Sequence, residues 1–313
     1  MGLTAFLFPG QGTQRVGMGQ AVSHLHPVAR ATFERASDRL GYDISARCAL
    51  GPAEELTHTL FAQPAVFTCS AAWLAVLADR GLEPDLVAGH SVGEITALHA
   101  ARALDFDEAL DAVHHRAQLM AATPGHGTMA AVVGLDADVV DRLCAEASVA
   151  GPVVVAVHNA PANVVVSGAR PGVEAVVEAA KAAGAVRVVP LAVSHAFHSP
   201  LMAEAVEAWS AYVATLPLRT PRCPVALNVT GALSEDVDEI RQAVVDQLTG
   251  AVRWADCVVA LRDGGATLAV EVGDSKALTG FVRSVDRGLH TVSLAVAGGL
   301  DQIEAAVGGT RAV

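Results

Sequence analysis

Charge, above all positive charge, is scarce in this 313-residue chain. Charged residues make up 17% of it, and 21 Lys and Arg face 33 Asp and Glu, for a formal net charge of −12. A nucleic acid or an anionic membrane surface requires a basic footprint on its protein partner. We therefore expect neither as a partner, and an anionic substrate must be received by a local cationic group against the overall field.

Cysteines are few, and signals for export or membrane insertion are missing. The five cysteines are odd in number and widely spaced, which indicates thiols packed as small core residues in a reducing cytoplasm. The longest apolar run, residues 64–78, is interrupted by Thr68 and Ser70, so we interpret it as a buried helix and expect no membrane span. The beginning, MGLTAFLFPG, lacks the cationic region of a signal peptide. The sequence predicts a cytoplasmic protein.

Apolar residues, by contrast, reach 52% of the chain, enough for the sizeable core of an α/β protein. Most of the chain alternates between buried-strand runs and helical patterns. Strands are predicted at 3–8, 85–88, 225–229, 267–272 and 291–296, and helices at 106–122, 237–248 and 254–262, with residues 15–80 mostly helical. We expect these elements to form the large domain, residues 1–126 and 195–313.

Residues 127–194 have a different pattern. Strands predicted at 128–135, 153–160, 163–169 and 186–193 and helices at 136–149 and 171–185 give the order β-α-β-β-α-β. This is the order of a ferredoxin-like unit. Its adjacent β-β pair breaks the strict alternation of a continuing α/β sheet, so we predict a ferredoxin-like small domain inserted into the large one.

The most informative stretch is Gly89-His90-Ser91-Val92-Gly93, which lies between a short apolar run and a helical pattern. This is the G-x-S-x-G arrangement at a strand–turn–helix corner, where glycines permit a sharp turn and the serine is exposed at its tip. The N–H groups and dipole of the following helix face any negative charge that develops there. An ordinary Gly/Ser turn is the alternative interpretation.

A serine nucleophile needs a base, and two histidines, His195 and His198, lie where the chain re-enters the large domain. Either could serve, and a structural histidine is the plain alternative for each. A metal site on this pair lacks a nearby carboxylate or thiol, so we expect no metal. Arg116 lies among apolar positions of a predicted helix, and its guanidinium suits a carboxylate. A solvated helix-face arginine is the alternative.

These motifs occur in an order and at spacings that resemble one family. The matching segments are residues 8–14 (FPGQGTQ), 63–65 (QPA), 89–94 (GHSVGE), Arg116 with Met120, and 196–199 (AFHS). They resemble the malonyl-CoA:acyl carrier protein transacylases and the acyltransferase domains of polyketide synthases. The resemblance runs from residue 8 to about residue 278, and it implies a hydrolase-like α/β large domain with a ferredoxin-like insert.

The resemblance also implies roles for individual residues. Ser91 is then the nucleophile, His198 the base, and Arg116 the group that holds the free carboxylate of the acyl chain. The remaining site residues are the backbone N–H groups of Gln11 and Val92 as the oxyanion hole, Gln247 as the source of an oxygen that orients the histidine, Asn159 as a site-lining residue, and Phe197 as the group that excludes an α-methyl substituent. The acid of a Ser-His-Asp triad is expected to be absent. Residues 273–276 (GDSK) depart from the family's usual Gly-Pro-Gly-Lys, so the geometry of this loop is not predicted.

The implied activity is transfer of a malonyl group from coenzyme A to the phosphopantetheine thiol of an acyl carrier protein, through an acyl-serine and with no bound cofactor. The pathway, fatty acid or polyketide synthesis, is left open. A serine hydrolase or thioesterase, and a carrier-binding protein with a decayed site, are the competing hypotheses. Because carrier proteins are acidic, docking requires a local basic patch, for which Lys181 with Arg187 and Lys276 with Arg283 are the candidates.

Overall fold

The computed structural model describes residues 2–124, 127–193 and 195–311. The predicted domain boundaries, at residues 126 and 194, lie outside the described residues, as do Gly125 and the chain ends. The division into two domains at these points therefore stays a prediction. The secondary structure on either side of them can be compared with the sequence directly.

Six strands form the larger sheet, in the order β10-β9-β1-β2-β7-β8. The strands are β1 (Leu3–Phe8), β2 (Leu86–Gly89), β7 (Val225–Ala226), β8 (Leu233–Ser234), β9 (Ala266–Glu271) and β10 (His290–Ser293). All neighbours are parallel except β7 and β8. β1 and β2 are buried almost throughout, as expected for parallel strands covered on both faces. The predicted α/β fold is confirmed.

Helices surround this sheet. They are α1 (Gln20–Leu25), α2 (Pro27–Leu40), α3 (Ile44–Leu50), α4 (Ala53–Thr57), α5 (Thr59–Asp79), α6 (Gly93–Ala100), α7 (Phe106–Ala122), a short 3-10 helix (Pro200–Met202), α10 (Ala203–Thr215), α11 (Val237–Asp246), α12 (Trp254–Asp263), α13 (Ala277–Val285) and α14 (Gly299–Arg311). α7 has the predicted bounds because a capping box of Asp105 and Glu108 fixes its beginning.

α5 is longer than the sequence analysis predicted. It has 21 residues, so by length and composition alone it could cross a membrane, which the interrupted run of residues 64–78 did not indicate. The helix begins at Thr59 and continues through Pro64. Within the most apolar stretch of this helix, 78% is buried inside the protein. This burial agrees with the interpretation of residues 64–78 as a core helix.

The second sheet has four antiparallel strands in the order β4-β5-β3-β6. Its elements are β3 (Gly127–Val133), α8 (Ala137–Ala147), β4 (Val153–Ala160), β5 (Asn163–Ala169), α9 (Arg170–Ala182) and β6 (Arg187–Pro190). The β-α-β-β-α-β order is as predicted. β4 and β5 match their predicted bounds residue for residue.

The small sheet is covered on both faces because side chains alternate along each strand. One face packs with α8 and α9 into a separate apolar cluster that includes Val132, Val140 and Val166. The other face contributes Met129 and Val165 to the large core. β4 also bonds to the segment before α12, since the His158 N–H donates to the Val252 carbonyl over 2.9 Å. This contact holds the end of β4 beside the carboxyl edge of the large sheet.

Candidate active site

The Ser91 corner has the geometry that its glycines predict. β2 ends at Gly89, α6 begins at Gly93, and Ser91 between them has a φ of 54°. A left-handed backbone is uncommon for a residue other than glycine and marks a strained position. A Cβ at Gly93 would lie 2.2 Å from the Phe8 carbonyl oxygen, and one at Gly89 would lie 1.9 Å from the Gly93 carbonyl carbon. Glycine is therefore required at both positions.

His198 reaches Ser91 from the segment that follows the small sheet. Its Nε2 lies 2.7 Å from the Ser91 Oγ, and its Nδ1 lies 2.8 Å from the main-chain oxygen of Gln247. A carbonyl oxygen only accepts, so Nδ1 carries the ring proton and Nε2 accepts the proton of the Ser91 hydroxyl. The ring of His195 instead stacks on Phe197, with centroids 5.9 Å apart. Of the two candidate histidines, the structure brings His198 to the serine.

The imidazole of His198 is neutral in this environment. Burial lowers its pKa to about 3, and the nearby Arg116 cation contributes in the same direction. The hydrogen bond to the main-chain oxygen of Gln247 opposes this shift. At neutral pH the ring is therefore available as a proton acceptor.

Arg116 projects from α7 into the same site and is 2% exposed. Its Nη1 donates to Gln63 Oε1 over 2.9 Å, and its Nη2 donates to Gln247 Oε1 over 2.9 Å and to Ser91 Oγ over 3.3 Å. Burial lowers the pKa of the guanidinium to about 10, and the charge of Glu94 opposes the shift. The guanidinium therefore remains a cation next to the hydroxyl, so the solvated helix-face alternative is wrong.

Gln247 contributes through both its main chain and its side chain. The oxygen that faces His198 belongs to the main chain, and no carboxylate bonds to Nδ1 of His198 within the described residues. The side-chain amide bonds elsewhere: Oε1 accepts from Arg116, and Nε2 donates to the Ser91 carbonyl over 3.1 Å and to Glu94. The sequence indicated the residue but not which of its oxygens faces the ring.

Two further site residues, Asn228 and Glu94, were missed by the sequence analysis. The Asn228 side chain accepts from the Ser91 N–H over 2.8 Å and donates to the Gly89 carbonyl over 2.7 Å. Its own N–H donates to Glu94 over 2.6 Å. The strand predicted at 225–229 ends at Ala226, and Asn228 lies just beyond it under the corner. Asn228 thus holds both sides of the strained serine.

Glu94 is a fully buried carboxyl on α6. Burial raises its pKa to about 7, while the Asn228 N–H, the Arg116 charge and the Gln247 amide act in the opposite direction. An acid at a buried position of an apolar helix was the signal in the sequence that could have identified it.

The main-chain N–H groups of Gln11 and Val92 lie after neighbouring parallel strands, with Phe8 of β1 in register with Gly89 of β2. Across the described residues, neither N–H donates a hydrogen bond. The Gln11 side chain is held in place, since its Nε2 donates to Thr59 Oγ1 over 3.1 Å. Two N–H groups at one sheet edge suit an oxyanion.

Asn159 and Phe197 border the site without bonding to the serine. The Asn159 Oδ1 lies 3.0 Å from Nε2 of His90, a half-buried residue whose ring pKa is lowered by desolvation. Phe197 is 6% exposed, and its main-chain oxygen accepts from Ser167 over 2.7 Å. In the part of the chain that the structure describes, no group of three His, Cys, Asp or Glu could hold a metal ion.

The unusual loop at residues 273–276 connects the segment after β9 to the segment after β1 through one ion pair and one hydrogen bond. The carboxylate of Asp274 lies 3.1 Å from Arg15 Nη2 and accepts from the Gly19 N–H over 2.9 Å. Both partners follow the loop that carries Gln11. The departure from the usual motif therefore adds a link between the loops after β1 and β9.

Comparison with known sequences assigns the chain to a family. The acyl transferase domain model matches residues 5–302. The chain is 38% identical over 297 residues to the malonyl CoA-acyl carrier protein transacylase of Bacillus subtilis strain 168, covering 94% of each chain. It is 40% identical over 285 residues to the protein of the same name from Escherichia coli K12, covering 90% of this chain and 92% of the other.

Solved structures show the same relationship. An acyl-carrier-protein S-malonyltransferase from Burkholderia pseudomallei 1710b aligns with a TM-score of 0.92 at 41% identity, over 96% of this chain and 98% of that chain. A malonyl-transacylase solved in complex with a type II polyketide synthase acyl-carrier protein aligns with a TM-score of 0.93 at 36% identity, over 96% and 99%.

Proposed function

Because the chain belongs to the acyl transferase family, as a malonyl-CoA–acyl carrier protein transacylase, we propose that Ser91, His198 and Arg116 perform its reaction. The enzyme moves a malonyl group from coenzyme A to the thiol of an acyl carrier protein. The observation that carries the assignment is the buried Arg116 guanidinium, 3.3 Å from the same hydroxyl that contacts His198. Ser91 reacts with the thioester, His198 takes the proton of the hydroxyl, and Arg116 recognises the acyl chain.

In the first half-reaction, His198 Nε2 takes the hydroxyl proton as Ser91 Oγ attacks the thioester carbonyl. The carbonyl oxygen becomes an oxyanion facing the N–H groups of Gln11 and Val92. Loss of one such donor typically costs ~10²–10³ in rate. The carbon–sulfur bond then breaks, the imidazolium protonates the departing coenzyme A sulfur, and malonyl remains on Ser91 as an ester.

In the second half-reaction, the phosphopantetheine thiol of the carrier loses its proton to His198 and attacks the ester. The oxyanion forms again, the carbon–oxygen bond breaks, and Ser91 recovers its proton. Two thiol half-reactions at one serine predict ping-pong kinetics. All groups required belong to the chain, to the coenzyme A thioester and to the carrier thiol, so we propose that no bound cofactor takes part.

Arg116 also selects the acyl group. A malonyl group carries a free carboxylate that the guanidinium can bind through two parallel hydrogen bonds. An acetyl group offers no such partner, and a site built to pair with a substrate charge discriminates strongly against an analogue that lacks it. A dicarboxylic acyl group is therefore the preferred substrate.

The five cysteines are free and buried, which supports a reducing cytoplasm as the location of the enzyme. The domain division at residues 127–194 also belongs to this proposal. It is supported by the antiparallel sheet and by the separate apolar cluster beneath α8 and α9.

Mass spectrometry of the intact enzyme tests the assignment. After exposure to mixed malonyl-CoA and acetyl-CoA, the mass should increase by one malonyl group. Ser91→Ala should gain none, and Arg116→Ala should lose the preference for malonyl. An Arg116→Ala enzyme that handles malonyl-CoA as well as the unchanged enzyme would refute the role of the arginine.

The same preparation separates transfer from hydrolysis. An acyl-Ser91 that persists until a carrier thiol is added indicates a transferase, whereas one that decays in water at the turnover rate indicates a thioesterase. The main-chain partner of His198 and the position of Arg116 favour the transferase.

A further inference from the structure

Within residues 2–124, 127–193 and 195–311, no carboxylate bonds directly to the Arg116 guanidinium. Among the described residues, the hydrogen-bond acceptors of Arg116 are Gln63 Oε1, Gln247 Oε1 and Ser91 Oγ, all neutral. A guanidinium that is 2% exposed needs a compensating charge nearby. The carboxylate whose charge acts on it is Glu94, which lies on the far side of the Gln247 amide.

The hydrogen bonds of Glu94 determine which way that amide faces. One carboxylate oxygen accepts from the Asn228 N–H over 2.6 Å, and the other accepts from Gln247 Nε2. Both Glu94 oxygens accept from N–H donors, and these bonds and the Arg116 charge favour the ionised carboxylate against the effect of burial. An ionised carboxylate only accepts, so the NH₂ end of Gln247 faces Glu94. The oxygen end of the same amide is then turned toward Arg116. Hydrogen bonds thus connect Glu94 through the Gln247 amide to the Arg116 guanidinium, and we call this connection the relay.

The separation of Glu94 from Arg116 by one amide affects how the guanidinium can bind the malonyl carboxylate. A carboxylate bonded directly to Arg116 would occupy the N–H groups that a malonyl carboxylate must use. Placed one amide away, Glu94 balances the buried charge and leaves the guanidinium bonded only to neutral oxygens. A substrate carboxylate then meets no competing anion on the guanidinium itself.

We propose that Glu94 is a positioning residue for malonyl recognition, which orients the Gln247 amide and balances Arg116 without occupying it. This inference rests on the proposed function of Arg116. It predicts that loss of the acceptor pair at Glu94 disturbs binding of the dicarboxylic acyl group and leaves the reactivity of Ser91 intact.

Glu94→Gln is the variant that tests the relay. The oxygen of the introduced amide can still accept from the Asn228 N–H, so Asn228 keeps its hold on Ser91. The introduced NH₂ group faces Gln247, whose amide must turn and present its own NH₂ to the Arg116 guanidinium, donor against donor. The concentration of malonyl-CoA that half-saturates Ser91 acylation should rise roughly 10-fold to 100-fold, as for loss of a charged hydrogen bond. The limiting rate of acylation should change far less.

A second readout separates recognition from the serine corner itself. A fluorophosphonate reacts with Ser91 through His198 and carries no carboxylate, so it does not need Arg116. Its labelling rate should fall far less in Glu94→Gln than the affinity for malonyl-CoA does, because Asn228 still holds the Ser91 N–H although the turned Gln247 amide no longer donates to the Ser91 carbonyl. Glu54→Gln, which removes one negative charge from the exposed first turn of α4, is the matched control.

Gln247→Met keeps the length of the side chain and the main-chain oxygen but removes the amide that links the two charges. It should show the same saturation defect. The saturation defect of the double variant Glu94→Gln and Gln247→Met should be no larger than that of Gln247→Met alone. The effects of two substitutions in one relay are not additive.

Additive effects, unchanged saturation in Glu94→Gln, a collapse of fluorophosphonate labelling, or failure of Glu94→Gln to fold would each overturn the inference. Arg116→Ala keeps the two proposals apart. If Arg116→Ala binds malonyl-CoA normally, the proposed role of the arginine fails. If Arg116→Ala is defective and Glu94→Gln is not, only the role of Glu94 fails.

Discussion

The charged and titratable residues of this site are held by hydrogen bonds to neutral groups. His198 is held by a main-chain oxygen rather than an acid, and Arg116 by two amides rather than a carboxylate. A neutral acceptor orients an imidazole but stabilises its charged form less than a carboxylate would. The protonation of His198 is therefore sensitive to the cation beside it, and this sensitivity can be measured.

Removal of Arg116 should shift the acid limb of Ser91 reactivity to higher pH. Burial lowers the pKa of His198 to about 3, with Arg116 as the next cause. Only the neutral ring accepts the hydroxyl proton, so reactivity is lost as pH falls through this pKa. Without the cation the pKa rises, and reactivity is lost at a higher pH.

The measurement is the rate of fluorophosphonate labelling between about pH 3 and 8, a range that reaches the acid limb of the unchanged enzyme. Arg30→Ala, at an exposed position of α2, is the control. Superimposable profiles for Arg116→Ala and the unchanged enzyme would show that the guanidinium does not influence the base.

Phe197→Ala should relax the preference for malonyl over methylmalonyl. Phe197 is buried and directly precedes His198 in the chain, and its backbone is held independently by Ser167. Space for one methyl group is worth ~1–3 kcal/mol, so the ratio of the two acylation rates should change about 10-fold or more. Competition between the two thioesters, followed by mass spectrometry, gives the ratio. Leu201→Ala, in the same segment but 36% exposed, should leave it unchanged.

At the scale of elements, the site depends on how closely α6 approaches the ends of β1 and β2. Gly93 lies against the Phe8 carbonyl, and this contact places the first N–H groups of the helix at the carboxyl edge of the parallel sheet. Ligand sites of open α/β sheets form at this edge. The strand–turn–helix corner therefore works only if no side chain separates the two elements.

Gly93→Ala should destabilise the fold and abolish labelling of Ser91. The new Cβ would meet the Phe8 oxygen at 2.2 Å, so α6 or β1 must move. We expect a loss of about 3 kcal/mol or more in the free energy of unfolding, measured in urea.

Gly280→Ala is the matched control on another helix. Nothing lies within 4 Å of a Cβ at this exposed position of α13. The substitution should stabilise the protein by about 0.5–1 kcal/mol. An equal response of the two glycines would refute the close-approach argument.

At the scale of the whole molecule, the acidic chain must still receive an acidic carrier protein. Of the two basic pairs named from the sequence, Lys276 and Arg283 belong to α13 and its N-cap, and the Phe281 ring of this helix lies 6.4 Å from the ring of His90. Lys181 lies on α9, which packs against the small sheet, and is already paired with Glu178. α13, which carries Arg283, therefore lies beside the residue that precedes Ser91.

Reversal of Lys276 and Arg283 to Glu should weaken transfer to the carrier more than the same reversal at Lys181 and Arg187. Opposite charges at the rim act mainly on association, so the defect should appear in kcat/KM for the carrier and diminish as salt screens the interaction. Acylation by malonyl-CoA serves as the internal reference. Equal defects in the two double variants would place the docking surface elsewhere.

Local patterns predicted much of the architecture but not every boundary. β4, β5 and α7 were predicted with their observed bounds, because strand alternation and helix capping depend only on residues that are close in sequence. The strand predicted at 225–229 is only two residues long. It ends where Asn228 leaves the sheet to bond to the Ser91 corner, a partner 137 residues away that no local pattern reveals.

The sequence by itself determined the two sheets, the serine corner with its two obligatory glycines, and the short list of histidines and arginines able to serve it. The residue pattern left His195 and His198 as equal candidates, and the family resemblance implied His198. The tertiary structure places His198 at the serine, and it alone decided that the Gln247 main chain rather than its side chain faces the ring. It also decided that Glu94 and Gln247, 153 residues apart, share a hydrogen bond. Secondary structure follows from the spacing of neighbouring residues, whereas the partners of a buried charge depend on which distant elements the core brings into contact.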